Sequence, residues 1–141
     1  MTVRLLAFSI SLCLATSLAG QSLPTRFEKS NGRQSPEYSE IIDWWKKLDQ
    51  VSGKVKLLTM GPTDAGYPLH LAVLSNHGDS NFDQIHKNNK RVILVINGIH
   101  PGEPDGIDAS MLLARDIVAN RYHLPDNLVL AIIPVYNIGG C

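Results

Sequence analysis

The sequence predicts an α/β domain, and three observations in its second half support that class. Residues 91–96 and 128–135 are continuous apolar runs rich in β-branched residues, which is typical of strands buried on both faces of a parallel sheet. Between them, apolar residues recur at helical spacing. Strand, helix and strand in this order form a βαβ unit, so we expect the two strands to be parallel. The helical residues are Ile107, Met111, Leu112, Ala114, Ile117 and Val118.

A second helix is predicted nearer the N-terminus. Ser35 suits the N-cap position, Pro36 suits the first helical position, and Gly53 is expected to end the helix. We interpret Trp44 and Trp45 as anchors of the core and its boundary. The apolar face is formed by Tyr38, Ile41, Ile42, Trp45 and Leu48.

An antiparallel hairpin is predicted after this helix. Residues 54–59 and 67–74 have strand-like composition, and the segment 61–66 between them is rich in turn residues. Residues 75–90 are polar and are expected to form a loop.

Composition limits the classes of partner. The chain has 141 residues, of which 44% are hydrophobic and 18% are charged, as in an ordinary globular domain. Its 13 basic residues balance its 13 acidic residues. Charge therefore predicts no nucleic acid partner.

The first twenty residues predict a secretory signal peptide. Arg4 supplies a positive start, residues 5–14 are almost wholly apolar, and Ser17 and Ala19 are small residues suited to cleavage. The apolar run is too short to span a bilayer, so we expect no stable membrane span after cleavage. We expect a secreted or periplasmic protein with a flexible lead-in at residues 21–34 and a folded domain at residues 35–141.

The C-terminal residues suggest that the chain stops inside a domain. Cleavage of the signal peptide would leave Cys141 as the one cysteine, which cannot form an internal disulfide. Neither a helix end nor a charged tail precedes it. We therefore expect the chain to be the N-terminal part of a longer protein.

The segment between the first buried strand and its helix carries the candidate chemistry. His100 and Glu103 stand three residues apart, so a tight loop can direct both side chains to one point. An imidazole nitrogen and a carboxylate oxygen are ligands that a catalytic zinc takes. The spacing alone also fits a surface loop in which Glu103 caps the helix. Four residues shape or stiffen the loop backbone: Gly98, Pro101, Gly102 and Pro104.

Residues 97–109, centred on His100-Pro101-Gly102-Glu103, resemble the first zinc motif of the metallocarboxypeptidases, the carboxypeptidase A-like peptidases. Residues 133–140 resemble the strand end that follows in the same family. They depart from it at Ile138 and Gly139, where proline and aspartate are usual. The resemblance covers about residues 36–141 and implies a mixed β-sheet flanked by helices on both sides.

The resemblance also implies a ligand set and an activity. One Zn²⁺ ion would be bound by His100, Glu103 and a second histidine, and that histidine and the general base are expected beyond residue 141. The implied activity is zinc-dependent hydrolysis of peptides by the full-length form, with this fragment alone inactive. We interpret four other histidines, His70, His77, His86 and His123, as ordinary strand or surface residues, and Asp105 and Asp108 as favouring the helix dipole.

Three other functions remain open from the residues. An aspartoacylase-like zinc deacylase shares a His-x-x-Glu pair, and a carboxypeptidase-like domain without catalysis could act as a binding module. A serine hydrolase is disfavoured, because the sequence has no Gly-x-Ser-x-Gly elbow and Ser110 falls inside the predicted helix.

The signal peptide reading predicts the N-terminus of the exported protein. Because Ser17 and Ala19 suit a signal peptidase, N-terminal sequencing should find a start near residue 21. Exported protein that begins at Met1 would contradict this reading.

Overall fold

The computed structural model describes residues 23–100 and 102–140. The expected signal peptide, Pro101 and Cys141 lie outside the described residues. In the part that is described, no helix is long and apolar enough to cross a membrane. The helices are α1 (Arg26–Lys29), α2 (Tyr38–Val51), α3 (Phe82–Lys87) and α4 (Asp105–Val118), with a 3₁₀ turn at Ile138–Gly140. The strands are β1 (Val55–Pro62), β2 (Pro68–Leu74), β3 (Arg91–Ile96) and β4 (Leu128–Ile133).

The strands form one mixed sheet in the order β1-β2-β4-β3. The hairpin of β1 and β2 is antiparallel, as predicted, and β2 is also antiparallel to β4. The strands of the βαβ unit, β3 and β4, are parallel and in register from Arg91 opposite Leu128 to Ile96 opposite Ile133. The predicted fold class is therefore confirmed.

Helices cover both faces of the sheet. On one face, α2 and α4 pack on the strands through buried side chains that include Trp45, Leu48 and Met111. On the other face, Ile85 of α3 packs in a smaller cluster with Val129 and other strand residues. Trp44 and Trp45 are both buried, so they are core residues as predicted. Residues 75–90 are not wholly a loop, because α3 forms within them and Asn81 caps it.

Strand β3 is less buried than predicted. It was expected to be covered on both faces, yet most of its residues are exposed, including Leu94 at 55%. Among the described residues it pairs with β4 alone and forms the edge of the sheet. Strand β4 lies between β2 and β3 and is buried as expected.

The start of α2 also differs from the prediction. The helix begins at Tyr38 with Glu37 as its N-cap, and the backbone N of Glu37 donates to the carboxylate of Glu40 at 3.1 Å. Ser35 is not the cap, because its hydroxyl donates instead to Asp108 on α4 at 2.6 Å. A long-range contact thus replaces the local one, and it ties the segment before α2 to the helix that follows the candidate site.

The expected flexible lead-in contains one short helix, α1, within the residues that the structure describes. Thr25 caps α1 by accepting from the backbone N of Glu28 at 3.2 Å. The guanidinium of Arg115 on α4 donates to both carboxylate oxygens of Glu28, at 2.6 and 2.8 Å, and to the carbonyl of Leu23 at 3.3 Å. Part of the expected lead-in thus forms a helical turn that is bound to α4 by a partner 87 positions away.

The Glu28–Arg115 ion pair should contribute measurably to stability. We expect Glu28→Gln to lower the free energy of unfolding by about 1–3 kcal/mol, because it removes the carboxylate that accepts two hydrogen bonds from a largely buried guanidinium and leaves only Asp116, at 3.7 Å, as a charged partner. The matched control is Asp43→Asn, which removes an exposed carboxylate paired with Lys46 and should cost less than about 1 kcal/mol. Equal losses in urea unfolding would contradict the assignment.

The same ion pair should depend on pH. The hydrogen bond from Arg115 lowers the pKa of Glu28. Its contribution is therefore fully present above the pKa of an unfolded glutamate, about 4.3, and is lost as the pH falls through the lower folded pKa. The difference in the free energy of unfolding between wild type and Glu28→Gln should therefore shrink as the pH falls below about 4.3.

Candidate metal site

The ends of β3 and β4 are joined by backbone hydrogen bonds beyond the regular strands. The N of Asn97 donates to the carbonyl of Ile133 at 3.1 Å, and the N of Tyr136 donates to the carbonyl of Asn97 at 2.8 Å. The N of Asn137 then donates to the carbonyl of Gly98 at 2.9 Å. The segments after β3 and β4 thus stay paired as they leave the sheet, and the loop that carries His100 starts from a fixed backbone.

The side chain of Asn97 connects this loop to helix α4. Its Nδ2 donates to the hydroxyl of Ser110 at 2.8 Å, and both residues are buried. A Cβ on Gly106 would stand 2.8 Å from Asn97 Oδ1, so only glycine allows the helix to approach this closely. Ser110 is therefore a structural partner inside α4, which agrees with its rejection as a nucleophile.

Two glycines of the loop adopt left-handed backbone conformations. Gly98 has φ +60°, and a Cβ there would lie 3.1 Å from Val135 Cγ1 and 3.4 Å from Ile107 Cδ1. Gly102 has φ +83°, but a Cβ there would meet no described atom within 4 Å. Gly98 is thus needed for both conformation and space, and Gly102 for conformation alone.

His100 and Glu103 lie side by side after this turn. The Nδ1 of His100 is 3.1 Å from the Oε2 of Glu103, and the side chains are 72% and 69% exposed. The backbone N of Glu103 reaches the carbonyl of His100 at 3.4 Å. The pair stands beyond the carboxyl ends of parallel strands, where ligand sites form in α/β sheets.

The two atoms are at hydrogen-bond distance, and a small movement apart would bring them to the spacing of two ligands on one metal ion. Two atoms bound at about 2.0–2.2 Å in a tetrahedron lie about 3.4 Å apart, close to the observed separation. Among the described residues, no group of three or more His, Cys, Asp or Glu side chains could hold a metal. The described chain thus offers two ligand atoms of suitable type, and further ligands would have to come from elsewhere.

A cleft of 530 Å³ opens beside the pair. Its polar wall includes His100, Glu103 and Glu37, and its floor is largely apolar. Asp108, which accepts from the lining residue Ser35, is 6% exposed, and its Oδ1 has no hydrogen-bond partner among the described atoms. Burial raises the pKa of Asp108, and the hydrogen bond from Ser35 opposes that shift. The apolar residues are Pro36, Tyr38, Ile41, Pro104, Ile107 and Val135.

The other histidines do not join His100 in a ligand group. His70 is buried in β2, where its Nδ1 lies 3.4 Å from the hydroxyl of Tyr38 and burial lowers its pKa. His77 Nε2 lies 3.3 Å from a carboxylate oxygen of Asp126, which precedes β4 and is therefore at the other end of the sheet. His123 also precedes β4, so it lies at that same end of the sheet. His86 lies on α3, ahead of β3.

The comparison with protein families decides which family this is. A family model described as zinc carboxypeptidase matches residues 41–141, well over half of the chain. The chain belongs to the zinc carboxypeptidase family. No curated protein matches the chain in a sequence search.

Solved carboxypeptidase structures share the fold. The carboxypeptidase A from Helicoverpa armigera is 20% identical with a TM-score of 0.58, over 73% of this chain and 24% of that one. Thrombin activatable fibrinolysis inhibitor is 18% identical with a TM-score of 0.63, over 89% of this chain and 32% of that one. At these identities the likeness concerns the fold. This zinc carboxypeptidase chain spans about a quarter to a third of the two solved structures.

Sequence reasoning missed the residues that hold the loop in place. Asn97 and Asn137 were quoted as parts of motifs but received no role, and Asp108 was assigned only to the helix dipole. The available signal was an asparagine after each parallel strand, directly after β3 and four residues after β4, because strand ends at the same edge of a sheet lie close together. The contact between Ser35 and Asp108 has no such signal in the sequence.

The two loop glycines predict a graded effect on stability. We expect Gly98→Ala to lower the free energy of unfolding by about 1–3 kcal/mol, since it adds both backbone strain and crowding against Val135. Gly102→Ala adds strain in open space and should cost about 1–2 kcal/mol, and less than Gly98→Ala. The measurement is denaturant unfolding of both variants. A larger loss for Gly102→Ala would contradict the packing described here.

Proposed function

We propose that His100 and Glu103 are two of the protein ligands of one catalytic Zn²⁺ ion and that the full-length protein hydrolyses peptides. The observation that carries the proposal is the 3.1 Å separation of Nδ1 and Oε2, at the end of a parallel strand, in a chain of the zinc carboxypeptidase family. A zinc ion held there would supply a Lewis acid that polarises the carbonyl of the scissile bond and activates water.

The two ligands would contribute differently. Neutral His100 would offer Nδ1, which leaves its other ring nitrogen free to donate to an acceptor that fixes the ring. Glu103 would offer a carboxylate oxygen whose charge partly offsets that of the cation. Because both side chains are largely exposed, the remaining ligand and the general base have room to approach from the rest of the full-length protein.

The cleft beside the pair suits a peptide-like substrate. Its apolar lining, formed in part by Ile107 and Val135, would accept aliphatic or aromatic groups next to the metal pair. This arrangement would hold a substrate by its apolar portion and keep an amide near the ligands. The 13 basic and 13 acidic residues balance, so net charge gives no reason to propose a nucleic acid substrate.

Two further proposals concern the whole chain. We propose that the protein is exported to the periplasm or secreted, on the basis of the N-terminal apolar run. We also propose that residues 21–141 alone are inactive, because the described residues offer only a two-ligand site and such sites bind metal weakly.

Removal of either ligand should abolish the activity of the full-length protein. We expect His100→Ala and Glu103→Ala each to weaken zinc binding sharply and to reduce peptide hydrolysis to background, since an open catalytic site has no spare ligand. The measurements are zinc content after dialysis and turnover of a peptide substrate.

The matched control for the histidine is His86→Ala. His86 is exposed on α3, ahead of β3, and its removal should leave zinc content and turnover unchanged. Full zinc content and near-normal turnover in the His100→Ala or Glu103→Ala variant would refute the proposed ligands.

A further inference from the structure

Among the described residues of the loop between β3 and α4, here called the metal loop, His100, Gly102 and Glu103 make little side-chain packing. His100 and Glu103 are mostly exposed, and a Cβ on Gly102 would meet no described atom within 4 Å. Among the described residues, the contacts that orient this part of the loop are therefore hydrogen bonds. The question is which of them fix the backbone next to His100.

Asn137 donates two hydrogen bonds to successive carbonyls of the loop. Its backbone N lies 2.9 Å from the carbonyl oxygen of Gly98, and its side-chain Nδ2 lies 3.3 Å from that of Ile99. The first bond continues the pairing of β3 and β4 and needs no particular side chain. The second depends on the amide of Asn137.

The second bond acts directly on the position of His100. The carbonyl of Ile99 belongs to the peptide unit that joins Ile99 to His100, and that unit is planar. A donor that fixes the carbonyl therefore fixes the direction in which the Cα of His100 leaves the plane. Asn137 itself follows β4, which is buried and central in the described sheet, so the donor stands on a rigid support.

We propose that Asn137 is a positioning residue that orients His100 for metal binding through the carbonyl of Ile99. This inference rests on the proposed function, in which His100 is a zinc ligand. Asn137 touches neither the metal nor the substrate in this role. It reduces the conformational freedom that the loop must lose when the ion binds.

The test is the affinity of the zinc-free full-length protein for Zn²⁺, measured by competition with a chelator. Asn137→Ala removes the side-chain donor and keeps the backbone donor. We expect it to weaken zinc binding by about tenfold, at the lower end of the range for residues that orient ligands, because the bond is exposed and rather long. The matched control is Tyr136→Ala, which truncates the exposed neighbouring side chain and should leave the affinity unchanged.

A second variant separates orientation from charge and preserves the shape of the side chain. Asn137→Asp places a carboxylate oxygen where the donor stood and adds a negative charge near the ion. Charge alone predicts tighter zinc binding, whereas loss of orientation predicts weaker binding, which is the result we expect. Circular dichroism of the zinc-free variants checks that they are folded.

The outcomes distinguish this inference from the proposed function. If the His100→Ala variant binds zinc as tightly as wild type, the proposed ligand is overturned and this inference with it. Zinc affinity that depends on His100 but is unchanged in Asn137→Ala, or tighter in Asn137→Asp, would overturn the positioning role alone.

Discussion

The hydrogen bonds that extend the pairing of β3 and β4 past their last regular residues are the constraint on which the site depends. Parallel strands usually separate where they end, because one continues into a helix and the other into a loop. Here backbone hydrogen bonds continue past the strand ends and join Asn97 and Gly98 to residues 133, 136 and 137. His100 is thus only two residues from a fixed backbone, although its own side chain is exposed.

Helix α4 is held to the same point from the other side. Asn97 reaches Ser110, Gly106 allows the close approach, and Asp108 accepts from Ser35 ahead of α2. At its far end α4 is tied to the N-terminal segment through Arg115 and Glu28. The helix that follows the metal loop is therefore fixed at both ends. Such support reduces the movement of ligands that are not themselves packed.

The sequence predicted the elements whose signals are local. The hairpin, the βαβ unit and the pairing of His100 with Glu103 follow from periodicity, turn residues and spacing. Features that depend on distant partners were missed or wrong. Ser35 was assigned to a cap from the local pattern, whereas its hydroxyl donates to Asp108, 73 residues away, and the contact between α1 and Arg115 is also distant in sequence. Strand β3 was expected to be buried because its residues are hydrophobic. Hydrophobicity does not reveal how many neighbouring strands and helices cover a strand.

The central claim is that the loop between β3 and α4 presents Nδ1 of His100 and Oε2 of Glu103 to one zinc ion without rearrangement. The most direct measurement is a crystal structure of the full-length protein with zinc, with an anomalous difference map recorded at the zinc edge. The account predicts one strong peak about 2.0–2.2 Å from both atoms, with the loop backbone from Asn97 to Gly98 still bonded to the segment after β4. A peak at another site, or a loop that must leave Asn137 to reach the ion, would contradict it.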